Sequence, residues 1–209
     1  MTIEIIYRDE YLIALNKPQA LLSVPGIGPD KKDCMISRLL ELIPDAKVVH
    51  RLDCYTSGIM LFAIGIETQR ALNKIFHDRK IQKQYIAIVR HWSADDEGVI
   101  SFPMRCDIDN RPRQIVDYEH GKSATTYWQV LHRSDASVRL LLKPETGRTH
   151  QLRVHCKALG HPIIGDGLYG DGMSDDGVQQ PRMLLHADNL SFTHPVTNKK
   201  MRLSAPCEF

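Results

Sequence analysis

Cysteine is scarce and unpatterned. The 209 residues hold five (Cys34, Cys54, Cys106, Cys156, Cys207), an odd number with no CxxC pair. That suggests neither a disulfide framework nor a zinc knuckle, and a reducing cytoplasm is the expected setting. Long apolar runs are missing too, and no segment approaches the roughly 20 apolar residues a membrane span needs. "MTIEIIYRDEY" meets a charge at Glu4 with no apolar h-region, so no signal peptide is expected. Nor is there an excess of one charge: 27 Lys+Arg against 25 Asp+Glu leave +2. A nucleic-acid binder with this balance must gather its basic residues on one face. No repeat or low-complexity tract stands out. The length suffices for one large domain, or two small ones, with a hydrophobic core.

The chain reads as strands with helices interspersed. "IEIIYRDEYLIALNKP" alternates around Arg8-Asp9-Glu10 as a β-hairpin. "LLSVPGIGPDKK" is a loop by its Pro and Gly content. "DCMISRLLELI" predicts a helix with Asp33 as N-cap and Met35, Ile36, Leu39, Leu40 and Ile43 on one face. "ETQRALNKIFHDRK" predicts a second amphipathic helix, and "KQYIAIVRHW" a strand. "ATTYWQVLH" and "SVRLLLKP" pair as a hairpin across Arg133–Ala136. "TGRTHQLRVHCKALGHP" predicts a helix capped by Thr149 and stopped by Gly160, with Leu152, His155, Cys156 and Leu159 on one face. Residues 171–181, "DGMSDDGVQQP", suggest a mobile loop, and "LSFTHPVTNKKMRLSAP" a last hairpin. Without a strict βαβ alternation, the class is α+β with a mostly antiparallel or mixed sheet and flanking helices.

"VVHRLDCYTSGIMLFAIG" (48–65) puts His50, Arg51 and Asp53 just before Ile59–Ile64, an apolar run that reads as a strand buried on both faces. Charges so near a core are either neutralised by a partner or present for chemistry. Two other motifs lead nowhere. "HGKSAT" (120–125) echoes a phosphate-loop ending, but that pattern needs a glycine where Val116 stands. His150 and His155 lie roughly 140° apart on a helix, with no third ligand at a usual spacing, so no metal is expected.

In "LLLKPETGRTHQLRVHCKALGHPIIGD" (140–166), Arg148 stands between a strand end and a helix start. It is placed either to pair with a carboxylate bidentately or to make a surface salt bridge. Tyr85, heading its strand, reads first as a packing residue.

Taken together, "HRLDCYTSG", "NKPQALLSVPG", "KQYIAIV", "KPETGRTHQLRVHCKALGHPIIGD" and "RMLLHA" resemble, in order, the motifs of the RluA family of pseudouridine synthases. The resemblance runs from about Ile6 to the C-terminus. It implies one catalytic domain over residues 1–209, without an S4-type module, as in the short branch acting on 23S rRNA and tRNA. The implied reaction isomerises a uridine in structured RNA, rRNA or a tRNA anticodon stem-loop, with no cofactor. A monomer is expected.

By resemblance Asp53 is the nucleophile. Attack on C1′, attack on C6 and removal of a 2′ proton all stay open. Arg148 would keep Asp53 charged in a dry pocket, and Tyr85 would stack on the target base. Arg51, two positions before Asp53 and on its side of an extended segment, would fill the gap left by a flipped uridine. Thr56, Ser57 and Gly58 would turn the chain into the strand. His50, Arg79, Lys80, Lys83, Arg111 and Arg113 are the expected RNA contacts, with Arg105 beside the last two. The rivals are a tRNA-specific member of the family, a catalytically idle RNA-binding protein or chaperone on the same fold, and a uracil-releasing glycosylase.

Overall fold

The structure is a computed structural model that describes residues 3–90, 95–170, 172 and 181–209. It divides into two compact units: residues 1–83 with 186–208, and residues 84–185 with Phe209. The suggested loop at 171–181 lies outside the described residues except for Gly172 and Pro181.

In the first unit, strands β1 (Glu4–Arg8) and β2 (Leu12–Lys17) form the expected hairpin. Its turn is made by Asp9, whose Oδ1 accepts the Tyr11 and Leu12 amides at 2.8 and 2.9 Å. Helix α1 (Met35–Leu42) follows, with Met35, Ile36 and Leu39 buried. Leu40, expected on that face, is exposed. Strand β3 (Ala46–Val48) leads to the loop carrying Asp53, and β4 (Ser57–Ile64) leaves it almost wholly buried, as its apolar run predicts. Helix α2 (Ile66–His77) and the start of β5 (Gln82–Arg90) come next. The predicted end of that strand, His91-Trp92, lies outside the described residues.

Strand β4 organises this unit. β2 runs antiparallel along one edge, Leu12 opposite Ala63 through Lys17 opposite Gly58. The other edge is shared. β3 pairs with its far end, and β11 (Leu185–Thr193) runs parallel to its first two residues, Ser57 and Gly58. β12 (Lys200–Ser204) closes the last hairpin against β11. His194, in the turn between them, accepts the Val196 and Thr197 amides at Nδ1 and donates from Nε2 to Asp9 at 3.1 Å.

The second unit is antiparallel. β5 pairs with β10 (Ser137–Pro144), β10 with β9 (Thr126–Arg133), and β9 with β6 (Glu97–Ile100). Helix α3 (Gln151–Ala158) contributes Leu152 and Cys156 to a core with Ala87, Val89, Leu140 and Leu142. A small hairpin of β7 (Met104–Cys106) and β8 (Gln114–Val116) carries the 107–113 loop. Twelve strands and three α-helices among the described residues make an α+β fold.

Two predicted caps are wrong, each by one residue. Asp33 does not cap α1; Cys34 does, in a reciprocal box with Ser37. Asp33 is instead drawn to Arg38 by a bidentate pair at 2.6 and 2.7 Å, which a cap would forfeit. Thr149 does not cap α3. His150 stands there at φ 55°, in the left-handed region, and makes no side-chain cap bond.

Candidate active site

Residues 49–56 bridge β3 and β4, and their path is set by what the edge of β4 lacks. Between its β3-paired and β11-paired stretches, the Leu61 amide finds its acceptor in the His50 ring, at 2.8 Å from Nε2. An acceptor at Nε2 makes the ring neutral, with its proton on Nδ1. Phe76 stacks on the ring at 4.8 Å between centroids. Burial pushes the imidazole down to about 3, and the charge of Lys83 adds to the shift. His50, expected to contact RNA, is therefore turned inward.

Two residues further on, the buried Ser23 hydroxyl donates to the Leu52 carbonyl at 2.7 Å and accepts the Leu52 amide at 3.0 Å. Beneath Cys54 lies Lys17, completely buried. Its Nζ donates to the carbonyls of Pro18 (2.8 Å), Leu21 (2.7 Å) and Cys54 (2.9 Å). A buried ammonium carries a penalty of several kcal/mol, and this cage offsets it. Desolvation still lowers the amine to about 8, opposed by attraction to Cys54 and Asp53.

Positions 50, 52 and 54 are thus each held by a hydrogen bond, while Arg51 is exposed and Asp53 half-buried. Asp53 closes the loop through its carbonyl, which accepts the Thr56 amide at 3.1 Å. A carboxylate on a segment this constrained, with an ammonium below, is able to act as a nucleophile or base.

Thr56–Gly58 do not form the predicted turn, because Ser57 and Gly58 already belong to β4. Gly58 has φ +111°, and a Cβ there would stand 2.2 Å from the Ala187 carbonyl oxygen. Ser57 Oγ bonds His186 Nδ1 at 2.9 Å, and His186 Nε2 donates to the Ala205 carbonyl at 3.1 Å.

The basic group after α2 is heterogeneous. Arg79 is exposed and ends the helix in a left-handed turn (φ 57°), its amide bonded to the Phe76 carbonyl. Lys80 is exposed, 3.9 Å from Asp78. Lys83 is half-buried, and burial with the nearby Arg79 charge brings its amine down to about 8.

Tyr85, Arg148, Arg111 and Arg113 belong to the second unit. Tyr85 is half-buried opposite Leu142 and packs on the core, as a strand tyrosine does. The Arg148 turn is built by Gln151. Its Oε1 accepts the Arg148 amide (3.0 Å) and the Thr146 hydroxyl (2.7 Å), while its Nε2 donates to Thr125 O (2.9 Å) and bonds Thr126 Oγ1 (3.0 Å). All four hydrogen-bonding sites of the amide are used. The guanidinium is exposed, with Nε donating to the Ser123 carbonyl at 3.2 Å. Arg111 and Arg113 are exposed on the 107–113 loop. Arg105 differs, being paired with Asp117, whose carboxyl is held down to about 2 by the His120 amide first and by Arg105 next. His150 and His155 bond Tyr169 and Thr126 respectively.

Sequence reasoning missed Lys17, Ser23 and Gln151. A lysine ending "LIALNK", whose first four residues are apolar, was the one visible signal.

A family model for RNA pseudouridylate synthases matches residues 11–158. Among curated proteins, the chain is 45% identical over 206 residues to the dual-specificity RNA pseudouridine synthase RluA of Yersinia pestis, covering 98% of this chain and 99% of that one. The corresponding Escherichia coli K12 protein is 43% identical over 206 residues, covering 98% and 93%. Among solved structures, human RNA pseudouridylate synthase domain containing 1 superposes with a TM-score of 0.80 at 30% identity, covering 98% of this chain and 83% of that one. Its domain containing 4 counterpart gives 0.79 at 25%, covering 98% and 88%.

The chain belongs to the RNA pseudouridylate synthase family. Within that family it is an RluA-type enzyme, an isomerase that converts uridine in RNA to pseudouridine.

Proposed function

We propose that the substrate is a specific uridine in structured RNA, 23S rRNA and/or a tRNA anticodon stem-loop, and that Asp53 is the nucleophile. The dual-specificity names of the relatives support the breadth of substrate. The tethering of residues 50, 52 and 54 around Asp53 supports the role of the carboxylate.

The reaction breaks the N1–C1′ bond and forms C5–C1′. The C5 proton leaves, N1 gains one, and no outside reagent is consumed. Attack on C1′, attack on C6 and removal of a 2′ proton each use one ionised carboxylate. Lys17 acts below the loop as a fixed positive charge toward Asp53. Tyr85 stacks on the extruded base, Arg148 stabilises the carboxylate, and Arg51 holds the vacated position in the RNA stack. Arg79, Lys80, Lys83, Arg111 and Arg113 contact phosphate. His50 serves as a tether. The chain works in the cytoplasm as a monomer, one catalytic domain without metal or cofactor.

The test is tritium release from 5-tritiated uridine transcripts. Asp53→Asn should leave less than a few per cent of turnover, with RNA affinity within a few-fold, because positioning contacts lie elsewhere. Residual turnover above that removes Asp53 from the role. Free uracil among the products would make the enzyme a glycosylase. Mapping pseudouridines in a deletion strain against its parent identifies the target.

A further inference from the structure

Tyr169 is nearly buried, and every part of it is held. The Asp166 carboxylate accepts the Leu168 and Tyr169 amides at 2.9 and 3.1 Å and is gripped bidentately by Arg153 at 2.7 and 2.8 Å. The guanidinium of Arg153 also lies over the Tyr169 ring, 4.9 Å from its centroid, and the Lys157 ammonium stands at 5.9 Å. A phenol fixed at backbone and ring presents its hydroxyl at one defined point.

Two segments meet that hydroxyl. One is the Gln114 amide, directly after Arg113, which donates to it at 2.8 Å. The other is His150 Nδ1, at 2.7 Å, two residues after Arg148. His150 is the residue with φ 55°, a conformation that persists only where its surroundings enforce it.

We propose that Tyr169 is a positioning residue whose hydroxyl joins the 107–113 loop, which carries Arg111 and Arg113, to the Arg148 turn, so that RNA seated on those arginines sets the Arg148 guanidinium. The proposal rests on the roles given above to Arg148 and Arg113. Tyr169 itself touches no reacting atom.

The experiment compares Tyr169→Phe with the wild type by steady-state kinetics and by hydrogen exchange of the peptides over 107–116 and 146–152. Tyr169→Phe should speed exchange in both peptides and lower kcat about tenfold, the scale of a small misplacement of a reacting group. Arg113→Ala should lower kcat and raise KM in the wild type, but only raise KM in the Tyr169→Phe background. A purely structural tyrosine would lower kcat while leaving the Arg113 effect intact, and that result overturns the proposal. So does unchanged exchange in either peptide. Should Tyr169→Phe fail to fold, His150→Asn breaks the same link while tolerating the left-handed backbone, with the same outcomes expected. The exchange arms need no turnover, so the link stands or falls separately. Full activity of Arg148→Lys would instead count against the role of Arg148.

Discussion

His50 takes the Leu61 amide at Nε2 and stacks on Phe76, so only the neutral ring fits its place. Its value falls from 6.5 to about 3 on folding, so between those limits the unfolded chain binds more protons than the folded one. Stability therefore rises with pH across that window and is lost on acidification, by about 2 kcal/mol at pH 5 for this group. His50→Gln keeps an acceptor and removes the titration. Urea denaturation at pH 7 and pH 5 should show a smaller acid loss in the variant by about that amount. Lys17 makes a second residue-scale prediction. Lys17→Met leaves three carbonyls without their donor, and the midpoint of urea unfolding at pH 7 should correspond to a loss of about 3 kcal/mol. Arg148 makes a third, since lysine lacks the planar fork. Arg148→Lys should recover little of the activity lost in Arg148→Ala, measured by tritium release.

At the scale of elements, β4 shows how a strand creates a site. Its shared edge forces the chain between β3 and β4 to supply its own hydrogen-bond partners, and Asp53 rides on that segment. At Gly58 the β11 backbone leaves no room for a side chain. Gly58→Ala places a methyl against the Ala187 carbonyl in a backbone conformation that L side chains avoid. It should cost more than about 2 kcal/mol, read as a fall in soluble yield and melting temperature. Hydrophobic periodicity is a local property, so the hairpins, the burial of β4 and the three helices were legible from the chain alone. The caps were not. Asp33 and Thr149 are good capping residues by type, but the choice was made by Arg38 in one case and by His150's contact with Tyr169 in the other. The bonds from Lys17 to Cys54 and from Ser23 to Leu52 were not legible for a related reason. The partners, Cys54 and Leu52, lie 37 and 29 residues away and are engaged through backbone atoms that carry no residue identity. The role proposed for Asp53 comes from its motif rather than from any propensity.

For the whole molecule, the small net charge of +2 decides how substrate is read. Long-range attraction to a polyanion is weak at that value, so affinity has to arise from close contacts, for which the proposed reading uses the exposed Arg51, Arg111 and Arg113. Recognition by a few such contacts favours a compact feature of the RNA over an extended duplex. A uridine in a loop is already partly unstacked, which lowers the cost of extruding it by a few kcal/mol relative to a paired base. A minimal stem-loop carrying the target uridine should therefore be modified nearly as fast as full-length RNA, and closing its loop into continuous duplex should suppress the reaction. Arg51 is exposed on the tethered loop two positions before Asp53, whereas Lys80 stands near Asp78 and is one of several cations in its group. Arg51→Ala should accordingly reduce stem-loop turnover by at least tenfold more than Lys80→Ala, while Lys80→Ala mainly weakens binding as salt is raised. Single-turnover rates on stem-loop, duplex and full-length transcripts, each at two salt concentrations, measure all of this. Modification confined to full-length RNA or assembled ribosomal particles would show that recognition extends well beyond the stem-loop.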